Sequence, residues 1–420
     1  MERTLTDPGH SRGALSGDQI GVLSPAPPRL YYLDWLRVIA IFTVFVFHAF
    51  HAFDQIDWHI KNDEKSDLIT IVFVGLISSW GIAMFFLISG ASSWQALSHK
   101  SAWRYLKERV LRLFIPFVVG SALFSVIQMW FQFRHQGRYE GSLIGFVPMF
   151  LETRRYGLDL LTPKAFGNWG IHLWFLGFLF AFSVMAVPII VWFRTRTGRL
   201  FVEWCASIAH RRGGLLLFAI PLIVVRSFVQ PFFPEGRDWG DFVYLFGIFV
   251  LGALIFADER FASAVRRDWR WLVTGGATAL GVVLAAMAAG LGQEWLETPD
   301  GVGFFIVWGA LSLAGWCLSV AFLAFGMRFL DYSNRLLEYS MEIIMSFYLL
   351  HQPIIIAIAF YVVQWNLNLY LKALVVLTCS FAVTMVIIEA LARGAKPLRM
   401  LFGMSPARKT SDASTESKSY

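Results

Sequence analysis

Long apolar stretches separated by polar segments recur along the whole sequence. Each stretch is about 20 residues long, the length that an α-helix needs to cross the hydrocarbon core of a bilayer. The stretches do not alternate apolar with polar residues as barrel strands do, so we expect helices, which satisfy their backbone hydrogen bonds internally. The pattern predicts an all-α fold, a polytopic membrane bundle of about ten transmembrane helices. The predicted spans are 33–53, 68–90, 110–133, 172–193, 214–231, 241–257, 271–291, 303–325, 339–363 and 369–392.

The composition agrees with this pattern and excludes several classes of protein. The 420 residues include 57% hydrophobic and only 15% charged residues, with a formal net charge of +7. Soluble proteins have about 25% charged residues, so this chain cannot cover a globular surface with polar groups. A soluble enzyme, a disordered chain and a nucleic-acid-binding protein are therefore excluded. Cys205, Cys317 and Cys379 are isolated, so we expect neither a disulfide framework nor a metal site.

The distribution of Lys and Arg predicts the orientation of the chain. The two tails and alternate loops, together with Arg112, hold 25 basic residues, whereas the remaining loops, together with Lys372, hold 9. Because basic loops stay in the cytoplasm, we expect both termini there and the loop 134–171 outside. A loop of this length is typical of a lid or a binding element, and we expect a short amphipathic element within it.

Three regions are expected along the chain. Residues 1–30 are a polar cytoplasmic leader without the apolar core of a signal peptide, so the first span should be retained. Residues 31–395 form the transmembrane domain. Residues 396–420 are rich in Ser, Thr and Lys, which predicts a disordered cytoplasmic tail.

The first span carries the strongest functional signal, because charges within lipid are costly and usually face a cavity. Arg37 and His48 are eleven positions apart, which places both on one face of a helix and about 16 Å apart along its axis. Asp34 is positioned to pair with Arg37. This pair could simply lie at the inner interface with its charges in water, and His48 could be a packing residue. A neutral imidazole with polar neighbours is also suited to accept a proton from an alcohol.

Polar residues in the other spans allow two interpretations. His172 and Trp174 begin the fourth span, Arg226 lies near the end of the fifth, and His351 lies midway along the ninth. Each could contact a substrate or pair with another helix. Arg226 has no carboxylate within reach in its own span, so it needs an acidic partner from elsewhere or an anionic ligand.

A basic cluster that includes Arg109 and Arg112 leads into the third span. Simple anchoring at the cytoplasmic surface would account for it. The spacing of three also places both guanidinium groups on one face at a helix N-terminus, which favours phosphate and would suit a nucleotide-bearing donor.

Four segments in this order resemble the acyltransferase 3 family of integral membrane acyltransferases. They are 32–37 with His48 after ten further residues, 85–90, Arg109 with Arg112, and 348–351. The segment 172–176 and the Gln-Pro pair after His351 are more similar to the branch of that family associated with glucan succinylation. The similarity extends over residues 30 to about 395.

The resemblance implies transfer of an acyl group, acetyl or succinyl, from cytoplasmic acyl-coenzyme A (acyl-CoA) to a hydroxyl of a saccharide or glucan. Our hypothesis makes His48 the general base, Arg37 the group that holds the donor or stabilises developing charge, and Asp34 the residue that orients Arg37. The bilayer, acyl-CoA and the saccharide are the expected partners, and the oligomeric state is left open. The expected binding residues are Arg109, Arg112 and Ser89 for the donor, and His351, Arg226, His172 and Trp174 for the acceptor.

Two other functions fit the same residues. A secondary transporter or flippase for an anionic or saccharide substrate would use the buried Arg and His for substrate binding or proton coupling. A sensor or scaffold would need neither side chain for turnover. A transporter would bind no coenzyme A, so stabilisation of the folded protein by acyl-CoA separates it from the enzyme.

Overall fold

The computed structural model describes residues 29–155, 162–299 and 301–392, and within these ranges every regular element is a helix. The predicted leader up to residue 28 and the predicted tail 396–420 lie outside the described residues, as does the part of loop 134–171 between 156 and 161.

Thirteen continuous helices follow one another in the described ranges. They are α1 (Tyr31–Phe50), α2 (Asp67–His99), α3 (Ala102–His135), α4 (Leu143–Arg155), α5 (Lys164–Trp192), α6 (Arg196–His210), α7 (Gly214–Val229), α8 (Trp239–Ile255), α9 (Glu259–Ala288), α10 (Gly292–Glu297), α11 (Val302–Phe329), α12 (Arg335–Val362) and α13 (Leu369–Ala392). The predicted all-α fold class is therefore confirmed.

Eight of these helices are long and apolar enough to cross a membrane, namely α1, α2, α3, α5, α9, α11, α12 and α13. Helices α7 and α8 are apolar but shorter. These ten helices lie at the ten predicted stretches, although only eight reach spanning length. The chain is thus an integral, multi-pass membrane protein.

The long loop 134–171 contains the helix α4 and the beginning of α5 rather than a single short element. Pro148 lies inside α4. Phe146 and Phe150 of α4 are buried against Phe133 and Met129 of α3, which fixes the helix on the bundle. Residues of this segment are therefore in position to line an interior cavity.

Two helices contain π-helical stretches, Thr70–Ile77 in α2 and Val110–Phe114 in α3. A π-helical stretch turns through a smaller angle per residue than an α-helix, so residues three apart no longer share one face. Arg109 precedes the second stretch and is half-buried, whereas Arg112 lies within it and is exposed. The structure therefore does not bring these two arginines into one cavity.

Helices α2 and α8 cross at two glycines that allow their backbones to touch. A Cβ added to Gly90 would lie 1.9 Å from the carbonyl oxygen of Phe249, and one added to Gly252 would lie 2.1 Å from that of Leu87. Membrane helices commonly approach each other through such small residues. Gly90 ends the predicted segment 85–90, so its role there is close packing.

We expect Gly90→Ala to destabilise the protein by about 1–3 kcal/mol, because the added methyl group forces α2 and α8 apart. Thermal unfolding in detergent measures the effect. Gly281→Ala in α9 is the matched control, because nothing lies within 4 Å of its added Cβ. We expect that variant to melt at the wild-type temperature or slightly above it. Equal melting of the two variants would show that the helices do not meet at Gly90.

The direction of α1 defines two ends of the bundle. We call the end where α1 begins, near Arg37, the arginine end, and the end where it finishes, after His48, the histidine end. Helix α2 runs back toward the arginine end, where Ser92 contacts Arg37. Helix α12 runs parallel to α1, and its His351 lies beside His48. The segment 51–66 joins α1 to α2 at the histidine end.

Candidate active site

Two interior cavities share a wall of three aromatic residues. A cavity of about 430 Å³ at the histidine end is lined by His48, and one of about 300 Å³ at the arginine end is lined by Arg37. Phe85, Phe175 and Tyr348 line both cavities, and we call them the aromatic partition. The ring centroids of Phe85 and Phe175 are 5.2 Å apart, and those of Phe175 and Tyr348 are 5.9 Å apart.

At the arginine end, Arg37 is held by two other side chains. Its Nη1 donates a hydrogen bond to Asp34 Oδ1 at 2.5 Å, and its Nη2 donates to Ser92 Oγ. The Asp34 side chain is 8% exposed and that of Arg37 27% exposed, so the carboxylate is nearly buried while the guanidinium faces the cavity. The Asp34–Arg37 pair expected from the spacing is therefore present, and Ser92 completes it.

Arg109 brings a second guanidinium to the same cavity. Its Nη2 lies 3.4 Å from Ser93 Oγ, and its guanidinium stacks 4.7 Å from the ring of Tyr105. Ser89 also lines this cavity, whereas Arg112 does not. The described lining of this cavity contains two guanidinium groups and serine hydroxyls but no carboxylate. Such a lining is suited to binding phosphate.

Hydrogen bonds assign the ring protons of His48 and His351. His351 Nδ1 lies 2.7 Å from the carbonyl oxygen of Tyr348, so this nitrogen carries a hydrogen, and in the neutral imidazole Nε2 is then the acceptor. His48 Nδ1 lies 3.1 Å from His351 Nε2 and must therefore donate to it. His48 Nε2 is left with a lone pair, and His48 lines the cavity at the histidine end. A positioned, unprotonated nitrogen of this kind can act as a general base.

A second imidazole, His51, lines the same cavity and is tied to a buried carboxylate. Its Nδ1 donates to Asp54, which is fully buried and also accepts a hydrogen bond of 2.8 Å from Lys61 Nζ. Burial would raise the pKa of Asp54, but the hydrogen bonds from His51 and Lys61 outweigh it and lower that pKa. Lys61 Nζ also binds the carbonyl oxygen of His51, which fixes the segment 51–66 over the cavity.

A third histidine, His59, is neutral under ordinary conditions. Burial and the nearby charge of Arg237 lower its pKa to about 4, although a hydrogen bond to Gln132 opposes the shift. Its Nδ1 donates to Gln132 Oε1 at 2.6 Å, which leaves Nε2 unprotonated. His59 thus adds a polar group but no charge to the cavity wall.

His172 and Trp174, both expected to bind the acceptor, also line this cavity. Both ring nitrogens of His172 are engaged, because Nδ1 accepts from Gln128 Nε2 at 3.2 Å and Nε2 donates to the Leu349 carbonyl oxygen at 3.3 Å. The carbonyl oxygen of His172 accepts a 2.6 Å hydrogen bond from Tyr348 Oη. His172 therefore ties α5 to α3 and α12 and positions the aromatic partition.

Arg226 lies in neither cavity. Its Nη2 donates to Asp241 at 2.6 Å, and its guanidinium lies over the rings of Tyr244 and Trp308 at 4.5 and 4.3 Å. The acidic partner that the sequence required is thus Asp241 of α8. The charge of Arg226 is thus matched within the bundle, and its contact with the acceptor stays a prediction.

Several cavity residues were not identified from the sequence. Ser92 could have been found, because it is three positions after Ser89 and shares its helix face. Gln352 was noted only beside a proline, yet it lines the cavity, and its Oε1 is buried without a hydrogen bond to another described residue. Arg154 of α4 and Arg237 just before α8 also line this cavity, and neither belongs to a distinctive sequence motif.

Comparison with known proteins identifies the family of this chain. The acyltransferase domain that defines the acyltransferase 3 family matches residues 30–393. Glucans biosynthesis protein C from Salmonella paratyphi A, from Salmonella agona and from Salmonella enteritidis is in each case 23% identical over 287 residues, covering 66% of this chain and 71% of the relative. No solved structure matches the chain. The family match covers nearly all of the helical bundle, and the chain therefore belongs to the acyltransferase 3 family and is an integral membrane acyltransferase.

Proposed function

We propose that this enzyme transfers an acetyl or succinyl group from acyl-CoA to a hydroxyl of a saccharide or glucan, across a bacterial inner membrane. Two cavities that meet at one aromatic wall suit two substrates that approach from opposite ends. The saccharide acceptor is supported by the relatives, which are named for glucan biosynthesis. The single observation that carries the proposal is the hydrogen bond between His48 and His351 at a cavity that adjoins the guanidinium-lined one.

The excess of Lys and Arg supports placing the arginine end in the cytoplasm. The loops and tails on that side, together with Arg112, hold 25 of these residues, against 9 on the other side when Lys372 is included. Both termini would then be cytoplasmic, and the segment 134–171 would face outside. Acyl-CoA is made in the cytoplasm, so this orientation gives the donor access to the arginine end.

In this proposal, the donor phosphates bind Arg37 and Arg109, with Ser89 as a further hydrogen-bonding group. Arg112 is exposed at the same end and would contact only the part of coenzyme A that remains outside the cavity. The pantetheine arm would pass the aromatic partition and present the thioester to His48. Arg37 is about 16 Å from His48 along α1, so it holds the donor rather than the reacting carbonyl.

The chemical step needs one base and a well-placed thioester. His48 Nε2 takes the proton of the acceptor hydroxyl while the hydroxyl oxygen attacks the thioester carbonyl carbon. The tetrahedral intermediate then collapses, the carbon–sulfur bond breaks, and the coenzyme A thiolate leaves and receives the proton from His48. The products are the acyl ester of the saccharide and free coenzyme A. His351 acts as a positioning residue, because it accepts the His48 Nδ1 hydrogen and fixes the tautomer.

Binding of the donor can be tested without turnover. We expect acetyl-CoA or succinyl-CoA to raise the unfolding temperature of the detergent-purified protein, because a ligand that binds only the folded state stabilises it. Adenosine alone is the control and should have little effect.

Mass spectrometry of surface and periplasmic polysaccharides, with and without the gene, should then show the loss of one acyl mass unit per modified sugar. Absence of both effects would overturn the proposed function.

A further inference from the structure

Two arginines give the cavity at the histidine end an unbalanced positive charge. Arg154 of α4 and Arg237, just before α8, both line this cavity. Neither forms a salt bridge with any residue that the structure describes, and the described lining contains no Asp or Glu. Arg154 is half-buried and Arg237 is exposed, so both guanidinium groups remain accessible to a ligand. A cavity whose charged lining is only cationic attracts anionic ligands.

The guanidinium of Arg154 is poorly satisfied by the protein. Its Nη2 lies 2.8 Å from the sulfur of Met129, and its Nε is buried without a hydrogen bond. The ring of Phe150 lies 5.6 Å from the guanidinium carbon. Burial lowers the pKa of Arg154 to about 10, so the group remains charged at neutral pH. Arg154 therefore has hydrogen-bond donors to offer a ligand.

Backbone geometry holds Arg237 against the same cavity. Its φ of 65° lies in the left-handed region, which a residue with a side chain adopts only when its surroundings impose it. Its backbone N–H donates to Asp241 Oδ2 at 2.8 Å, while the other oxygen of that carboxylate binds Arg226. The side chain passes over Gly167, where an added Cβ would lie 3.0 Å from Arg237 Cδ, and its guanidinium lies 5.7 Å from the ring of Trp174.

We infer that Arg154 and Arg237 form a subsite for a carboxylate carried by one of the two substrates. Guanidinium groups bind carboxylates through strong, charge-assisted hydrogen bonds, and no carboxylate of the described lining competes for them. The carboxylate could be the free end of a dicarboxylic acyl group or an acidic group on the saccharide. This inference rests on the proposed function, since it assigns the substrate chemistry of the same cavity.

The two sources can be separated by small probes that need no turnover. Methyl hemisuccinate represents the acyl carboxylate, and methyl butyrate is its neutral counterpart. Glucuronate represents an acidic saccharide, and glucose is its neutral counterpart. Thermal stabilisation of the purified full-length protein would be titrated with each probe. We expect one anionic probe to stabilise the wild type more than its neutral counterpart, and the pair that responds identifies the source.

Arg154→Gln and Arg237→Gln should each weaken binding of the responding probe by about tenfold or more, because each removes charge-assisted hydrogen bonds. Arg138→Gln is the control, since Arg138 is an exposed arginine of the same segment that lies outside the cavity. It should bind the probe as the wild type does. The melting temperature of each variant without probe shows whether it is folded, and Arg154→Lys and Arg237→Lys provide charge-retaining variants where the Gln variants unfold.

Two results would overturn the inference. One is that neither anionic probe stabilises the wild type more than its neutral counterpart. The other is that the stabilisation persists unchanged in folded Arg154→Gln and Arg237→Gln proteins. Failure of the proposed function is distinguishable from both, because it is read from acyl-CoA binding and acyl transfer, whereas the subsite is read from binding of coenzyme-free anions.

Discussion

His48→Ala should reduce acyl transfer by about 10²–10⁴-fold in kcat, because it removes the base that accepts the hydroxyl proton. In the neutral tautomers assigned to His48 and His351, Nε2 of His48 carries the lone pair, and His48 lines the cavity. The measurement is transfer of a labelled acyl group to a saccharide acceptor by purified protein. Binding of acyl-CoA at the other cavity should be little changed, so the loss appears in kcat rather than in donor affinity.

The matched control for His48→Ala is His210→Ala, which removes an exposed imidazole at the end of α6. His351→Ala should give an intermediate loss, because His48 keeps its lone pair but loses the acceptor that fixes its tautomer. Full transfer by folded His48→Ala protein would show that the base lies elsewhere. His51 would then be the next residue to test, since Asp54 orients it in the same cavity.

Arg37→Lys should weaken binding of the acyl-CoA donor by about 10–100-fold, the equivalent of losing one or two charge-assisted hydrogen bonds. A guanidinium can bind Asp34, Ser92 and a phosphate at once through its planar set of donors, whereas an ammonium group cannot reproduce that geometry. The measurement is the KM for acyl-CoA together with direct donor binding, and kcat at saturating donor should change much less.

Replacing Arg37 alone by a neutral residue would leave the nearly buried Asp34 carboxylate without this partner, so the fold could suffer as well as binding. The double variant Asp34→Asn with Arg37→Gln removes both charges, so no carboxylate is left without its partner and a change in donor binding can be read separately from a change in stability. It should fold and still bind the donor weakly. Arg104→Gln, at an exposed position of the same end, is the control. Wild-type donor affinity in the double variant would exclude Arg37 from the donor site.

The sequence predicted the apolar helices but not where they end. Helix α2 continues to His99, well past the predicted limit at residue 90, and α3 begins at Ala102 rather than at 110. Hydropathy detects the part of a helix that suits lipid, whereas a helix continues into water wherever capping and propensity allow. The π-helical stretch Val110–Phe114 was equally invisible, because no simple residue pattern specifies it.

The candidate site could be predicted where it depends on one helix. The position of Arg37 relative to Asp34 and His48 follows from the constant rotation and rise of α1. Partners on other helices could not be predicted, because one sequence does not say which helices adjoin. His48 meets His351 at a separation of 303 positions, and the carboxylate that binds Arg226 belongs to another helix.

Phe85, Phe175 and Tyr348 stand between cavities that, in the proposed orientation, open to opposite sides of the membrane. If these rings parted without a substrate between them, protons would flow through the bundle and dissipate the voltage that the cell maintains, at about 2.3 kcal/mol per charge for each 100 mV. In the proposed function the enzyme passes an acyl group across the bilayer, so it would also have to be an electrical insulator, and these three rings are placed to provide the seal.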